Sequence, residues 1–186
     1  TGYTFSSFDG QTTNGQLDAF LIKFDNNGNR QWTRFAGGTK NDYVAGIAID
    51  RSGNIFITGY TYSSFDGQTN NGQGDAFLIK FDNNGNRQWT TFASGAGAVA
   101  SGITIDGNDK VYITGSTNTS FDGQTNSGQS DAFLKKWEYT EYSSISENYS
   151  HLLNVPVKIV SIHSNKVLDV VSHEAHTNYG LNSGAN

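Results

Sequence analysis

The chain of 186 residues contains no cysteine, which excludes disulfides, thiolate metal sites and thiol nucleophiles. One proline stands against 22 glycines, a balance that suits tight turns in ordered structure better than a proline-rich linker. Basic residues are too few for a cationic face: the formal net charge is −5 and the pI near 5.2, which argues against a nucleic-acid partner. No apolar run reaches the roughly 18 residues of a membrane span. Histidine is missing from residues 1–150, so that stretch cannot assemble a Ser/His/Asp constellation.

What is present is repetition. DAFLIKFDNNGNRQW occupies Asp18–Trp32 and returns letter for letter at Asp75–Trp89; its opening returns again as DAFLKKW at Asp131–Trp137. The period is 57 residues, then 56. Residues 1–36 and 58–93 align without a gap and differ only at Phe5/Tyr62, Thr13/Asn70, Leu17/Gly74 and Arg34/Thr91. Such a period marks an array of supersecondary units.

Each unit reads as four strands. In Asp75–Phe81, taken as the first, only Lys80 is polar after the opening Asp, which predicts burial on both faces. The turn Asp82–Asn86 contains Asn-Gly, a pair that tolerates the positive φ angles of hairpin turns. The return strand is Arg87–Ala93. Strands Ala45–Asp50 and Asn54–Thr61 are joined by Arg51-Ser52-Gly53, and their equivalents Gly102–Asp106 and Lys110–Thr117 by Gly107-Asn108-Asp109. With a partial strand at Thr1–Thr4, residues 1–137 supply ten strands and no helical periodicity. The expectation is an all-β protein, an incomplete β-propeller of about two and a half four-stranded blades; a β-solenoid or an open stack of small sheets is the alternative. A blade with two apolar faces cannot bury itself alone and needs its neighbours. About two and a half blades fall short of the 4–8 of a closed ring. Further blades of a longer parent chain, which the repeat's midway entry at Thr1 favours, or other copies of the chain are therefore the expected partners.

The segments Gly53-Asn54-Ile55-Phe56-Ile57-Thr58-Gly59-Tyr60-Thr61 and Asp75-Ala76-Phe77-Leu78-Ile79-Lys80 resemble the bacterial β-propeller repeat (SBBP) family over residues 1–137. The resemblance implies a propeller-like architecture on secreted or surface-attached bacterial proteins, hence an extracellular or cell-surface location. It brings no shared catalytic residues.

Residues 138–154 are acidic and rich in Ser and Tyr, and read as a linker. Residues 155–186 read as a second module, with two strand-like runs around the turn His163-Ser164-Asn165-Lys166 and Pro156 at the entry of an edge strand. Lys158-Ile159-Val160, Ser164–Val170 and Asn182-Ser183-Gly184-Ala185-Asn186 resemble the opening of a ricin-type β-trefoil lectin. Asn165 stands where that family has Gly, and Ser172–Leu181 replaces its short Gly/Ser turn. By position, the resemblance implies that Asp169 accepts hydrogen bonds from sugar hydroxyls.

The loop Phe65–Gln73 recurs at Phe8 and Phe121, placing Asp9, Asp66 and Asp122 at one repeat position. Its Asp, Gln and Asn oxygens suit calcium, and polar groups beside an aromatic suit a glycan. A structural loop explains them as well, with Asp66 and Asn70 making side-chain turns and Phe65 plugging the rim between blades. Asp25–Asn29 and Asp82–Asn86 lack the calcium-loop spacing and read as hairpin turns. His173-Glu174-Ala175-His176 is not H-E-x-x-H and reads as a surface loop, so no metal or cofactor is assigned. Asp18, Asp75 and Asp131 stand at strand starts, where they can accept from loop N–H groups. Trp32, Trp89 and Trp137 read as aromatics packed between blades.

The functional expectation is a non-enzymatic extracellular binding or scaffold protein whose lectin-like segment takes carbohydrate. The alternatives are a structural repeat protein that self-assembles through blade edges, and accessory modules of a larger secreted hydrolase.

Overall fold

The computed structural model describes residues 1–93 and 96–137, together with the backbone of 157–159 and 170–172. The chain divides into two compact units, Thr1–Tyr139 and Thr140–Asn186.

The ten expected strands of the first unit form three antiparallel sheets. The first is β1 (Gly2–Thr4), β2 (Asp18–Phe24) and β3 (Arg30–Ala36), in that order. The second has four strands in sequence order, β4 (Asp42–Ile49), β5 (Ile55–Thr61), β6 (Asp75–Phe81) and β7 (Arg87–Phe92). The third is β8 (Ala98–Ile105), β9 (Val111–Thr117) and β10 (Asp131–Trp137). The phase of the unit differs from the sequence reading. A unit opening at Asp75 would cut across two sheets, because β6 pairs back onto β5 in register from Ile55↔Phe81 to Thr61↔Asp75. The sheet therefore opens at Asp42.

β4 also starts earlier than Ala45, because a β-bulge between Val44 and Gly46 lets its pairing with β5 continue. Gly59 lies opposite that bulge, and a Cβ there would run into the Tyr43 carbonyl. The third sheet repeats the device, with a bulge between Ala100 and Gly102 and Gly115 against the Val99 carbonyl. The glycine of the repeated Thr-Gly pair is thus required by close backbone approach at a bulge. The Asn-Gly turns differ slightly from expectation. Only Gly28 and Gly85 take positive φ there, at 81° and 77°. Gly28 N–H bonds to Asp25 O at 3.0 Å, as Gly85 does to Asp82. This is a type I turn closed by a left-handed glycine, the usual three-residue hairpin.

Two apolar layers hold the sheets together. Between the first and second sheets, Leu21 and Ala36 meet Ile55, Ile57, Phe65, Phe77, Ile79 and Phe81, with Trp32 packed against them. Between the second and third, Phe56, Ala76, Leu78 and Ala93 meet Ala98, Ala100, Val111, Ile113 and Phe121, with Trp89 and Trp137 alongside. β6 feeds both layers by alternation, as a strand must, and all seven of its residues are buried. Lys80 is among them, its ammonium 5.5 Å from the centre of the Phe56 ring. The same heptapeptide in β2 leaves Phe24 55% exposed, and Leu134 of β10, at the repeat position of Leu78, is 68% exposed.

In the second unit β11 (Val157–Ile159) and β12 (Val170–Ser172) pair antiparallel, Val157 opposite Ser172. The linker expected at 138–154 and the side chain of Asp169 lie outside the described residues.

One repeat position in two settings permits a direct comparison. Leu78→Ala is expected to destabilise the protein by about 2–5 kcal/mol, as for a buried leucine. Leu134→Ala should stay within about 0.5 kcal/mol of the parent, as for a surface change. Urea unfolding followed by Trp fluorescence measures both; equal losses would contradict this layer arrangement.

Candidate functional site

The repeated loop is built around an Asp-Gly pair. Asp9, Asp66 and Asp122 take φ of 52°, 51° and 50°, and the glycines after them 72°, 73° and 76°. Two successive positive φ angles make a type I′ turn, for which Asp-Gly is a preferred pair. The turn is closed by Gln11, Gln68 and Gln124 N–H donating to Phe8, Phe65 and Phe121 O, each at 2.9 Å. The phenylalanine packs on its own sheet. Phe65 lies 6.0 Å from Phe77 and 5.1 Å from Phe92, and Phe8 lies 5.3 Å from Phe20 and 4.8 Å from Phe35. Phe65 also joins the layer that includes Leu21 of the neighbouring sheet.

Each loop carboxylate is engaged. Asp9 pairs with Arg30 at 2.5 Å and accepts from Thr33 Oγ1 at 2.8 Å. Asp66 pairs with Arg87 and accepts from Thr90 Oγ1 at 2.6 Å. Asp122 pairs with Lys135 at 2.7 Å. The side chains thus tie the turn to an adjacent strand and bring an organic cation to each carboxylate. They lie one per repeat and do not converge; among the described residues no group of three or more acidic or histidine side chains is placed to hold a metal ion.

The strand-start aspartates accept from loop N–H groups: Asn14 to Asp18 at 2.6 Å, Asn71 to Asp75 at 2.7 Å and Ser127 to Asp131 at 2.7 Å. Asp18 and Asp75 are buried, and Oδ1 of each has no hydrogen-bond partner. Asp18 also has a buried acidic neighbour that the sequence reading missed, Asp42. A Cβ on Gly37 would stand 2.7 Å from Asp18 Oδ1 and 2.5 Å from Asp42 Oδ2, so the two carboxylates flank one point. Asp42 accepts from Gly38 N–H at 2.8 Å, from Ser63 Oγ at 3.1 Å and from Thr61 Oγ1. Burial pushes both carboxyls above their ordinary range, against the pull of these donors, and the Asp18 charge adds to the rise at Asp42. Recurrence gave no signal for Asp42, because Ala98 holds its position opposite Thr117 in the third sheet.

Two segments of the chain, residues 31–66 and 88–122, match the family model described as a β-propeller repeat. Each runs from the last strand of one sheet through the first two of the next and ends in the Asp-Gly loop. The described unit is therefore all-β, made of antiparallel sheets that carry β-propeller repeats. The chain is similar to the uncharacterized WD repeat-containing protein L264 of Acanthamoeba polyphaga mimivirus, 31% identical over 116 residues that cover 56% of this chain and 8% of that protein. It is also similar to the regulatory protein FlaEY of Caulobacter vibrioides, 25% identical over 141 residues, 69% of this chain and 15% of that protein. The chain spans a small fraction of either relative.

The acid pair has a signed pH consequence. A carboxyl whose folded-state pKa is raised contributes stability below its unfolded value of about 3.9 and loses it as pH rises through the folded value. The turn-capping Asp25 and Asp82, held low by hydrogen bonds from Asn29 and Asn86, act in the opposite direction. Asp18→Asn isolates the first effect: Oδ remains for Asn14 N–H, and the amide NH2 replaces the unpartnered oxygen beside Asp42. The variant should melt above the parent at pH 7 and match it near pH 4. A lower Tm at pH 7 would show that the ionised carboxylate is needed.

Proposed function

We propose that the first unit is a non-catalytic binding scaffold, a stack of blades whose outward sheet faces receive further repeat units. The observation that carries this reading is the complementarity of the two outer faces. The middle sheet offers Phe77, Ile79 and Phe81 to one neighbour and Ala76 and Leu78 to the other. The first sheet carries the same positions outward as Phe20, Ile22 and Phe24, and the third carries Ala132, Leu134 and Lys136. Phe24 and Leu134 are left largely exposed, although their counterparts in β6 are buried. A repeat from the same polypeptide or from a second copy would meet on either face the surface that the central blade already meets.

In this reading residues 1–137 contribute about two and a half blades to a larger propeller-like array. Residues 155–186 contribute the opening of a ricin-type β-trefoil, in which Asp169 accepts from sugar hydroxyls. The setting is the bacterial cell surface or exterior. Support for the lectin role and the location comes from the sequence resemblances.

Sedimentation velocity tests the stacking. The 186-residue chain should associate as concentration rises, and Phe24→Asp on one face or Leu134→Asp on the other should suppress association without lowering Tm. A chain that stays monomeric at every concentration, with or without these substitutions, would sink the reading.

A further inference from the structure

Four Asn-Gly pairs occur in the sequence, at two repeat positions: Asn14-Gly15 and Asn71-Gly72 at one, Asn27-Gly28 and Asn84-Gly85 at the other. An asparagine followed by glycine is open to attack by the glycine nitrogen on the asparagine side-chain carbonyl, because no Cβ shields the approach. Two of the four pairs are closed off. Gly15 lies beneath the connection from β3 to β4, where a Cβ would stand 2.6 Å from Gly38 O and run into Lys40 O, and its N–H bonds to Asp18. Gly85 is buried, and a Cβ there would stand 2.9 Å from the Trp32 ring. Arg34 Nε donates to Gly85 O at 2.8 Å and Lys23 Nζ to Asn83 O at 3.0 Å, so the first sheet clamps this turn.

Asn71-Gly72 is open. Both residues are exposed, and a Cβ on Gly72 would meet nothing within 4 Å. Five residues separate Ala36 from Asp42, but four separate Ala93 from Ala98, so the connection that covers Gly15 in the first repeat is shorter in the second. The pair is held by local bonds, Asn71 N–H to Asp75 Oδ2 at 2.7 Å and Gly72 N–H to Asn70 Oδ1 at 3.0 Å. It joins β5 to β6 in the central sheet, which has a sheet on each face, so its exposure is not that of an outer blade. Asn27-Gly28 is open too, but a further repeat would cover its turn as the first sheet covers Gly85.

We propose that Asn71 is a site of spontaneous covalent modification, deamidation by water through a cyclic imide formed with Gly72. Local opening of the loop frees the Gly72 nitrogen, which gives up its proton and attacks the Asn71 side-chain carbonyl carbon. A C–N bond closes the imide, and the side-chain amide nitrogen leaves as ammonia. Water then adds to one imide carbonyl and cleaves its bond to the Gly72 nitrogen. At the side-chain carbonyl this yields aspartate; at the main-chain carbonyl it yields isoaspartate, with the backbone running through the β-carbon. Either product puts a carboxylate beside the buried Asp75, whose Oδ1 has no hydrogen-bond partner. The inference goes beyond the scaffold reading and does not depend on further repeats.

Ageing the 186-residue chain at mildly alkaline pH, followed by tryptic peptide mapping and mass spectrometry, provides the test. The four pairs fall on separate peptides, Thr1–Lys23, Phe24–Arg30, Ser52–Lys80 and Phe81–Arg87. Asn71 should deamidate at least about tenfold faster than Asn14 and Asn84, the ratio produced by a difference of about 1.4 kcal/mol in opening cost. In urea, where the fold no longer protects any pair, the four rates should converge. Asn71→Ser copies Ser127 of the third repeat, whose N–H keeps the bond to the strand-start aspartate, and should abolish modification of Ser52–Lys80. Equal rates at Asn14, Asn71 and Asn84 in the folded chain would overturn the inference. So would a lead of Asn71 over Asn14 that survives in urea, which would trace to Asn70 in place of Thr13, or modification of Ser52–Lys80 that persists in Asn71→Ser.

Discussion

The constraint on which the first unit depends is that its central sheet is apolar on both faces. Hydrogen bonds along β4 to β7 satisfy the backbone within the sheet, but they do nothing for Phe77, Ile79 and Phe81 on one side or Ala76 and Leu78 on the other. Removing apolar surface from water contributes on the order of 25 cal/mol per Å², so β6 is stabilised only when a sheet covers each face. The bulges opposite Gly59 and Gly115 and the tight Asp-headed turns let strands of fixed length pair closely. The sheets on either side then meet them with matching side chains.

Aspartate serves this arrangement in three environments. At the hairpin tips Asp25 and Asp82 are half-buried and collect N–H donors, which hold them below the usual carboxylate range. In the type I′ loops Asp9 and Asp66 lean on an arginine and a threonine of the last strand in their sheet. At the strand starts Asp18 and Asp75 are buried with one oxygen unmet, and burial drives them upward. The side chain is the same each time; at the tips and the strand starts, burial and the donors it meets set the direction in which its pKa moves.

Near-identity between the first two repeats does not extend to the third. Many shared residues build turns, bulges and apolar layers. Those that differ are spread through the unit, with Ala98 for Asp42, Val99 for Tyr43 and Ser116 for Tyr60 near strand ends, Gly107 for Arg51 in a turn and Lys135 for Ile79 within a strand.

The strands, their turns and the two-faced burial of Asp75–Phe81 were legible in the sequence, because alternation, Asn-Gly and Asp-Gly pairs and recurrence are local signals. Structural anchoring of Asp18, Asp75 and Asp131 was legible for the same reason: the N–H donors lie four residues upstream in each loop. The phase of the unit was not legible, since a repeat of fixed period reads equally well from any starting strand and only the pairing of β5 with β6 selects one. The Asp18–Asp42 pair was hidden because its members sit on strands of different sheets and meet only when the two sheets stack. DAFLIKF by itself determined a strand with two apolar faces. Whether those faces end in a core, as in β6, or partly in water, as in β2, was decided by the neighbouring sheets, because burial belongs to the surface that covers a residue as much as to the residue itself.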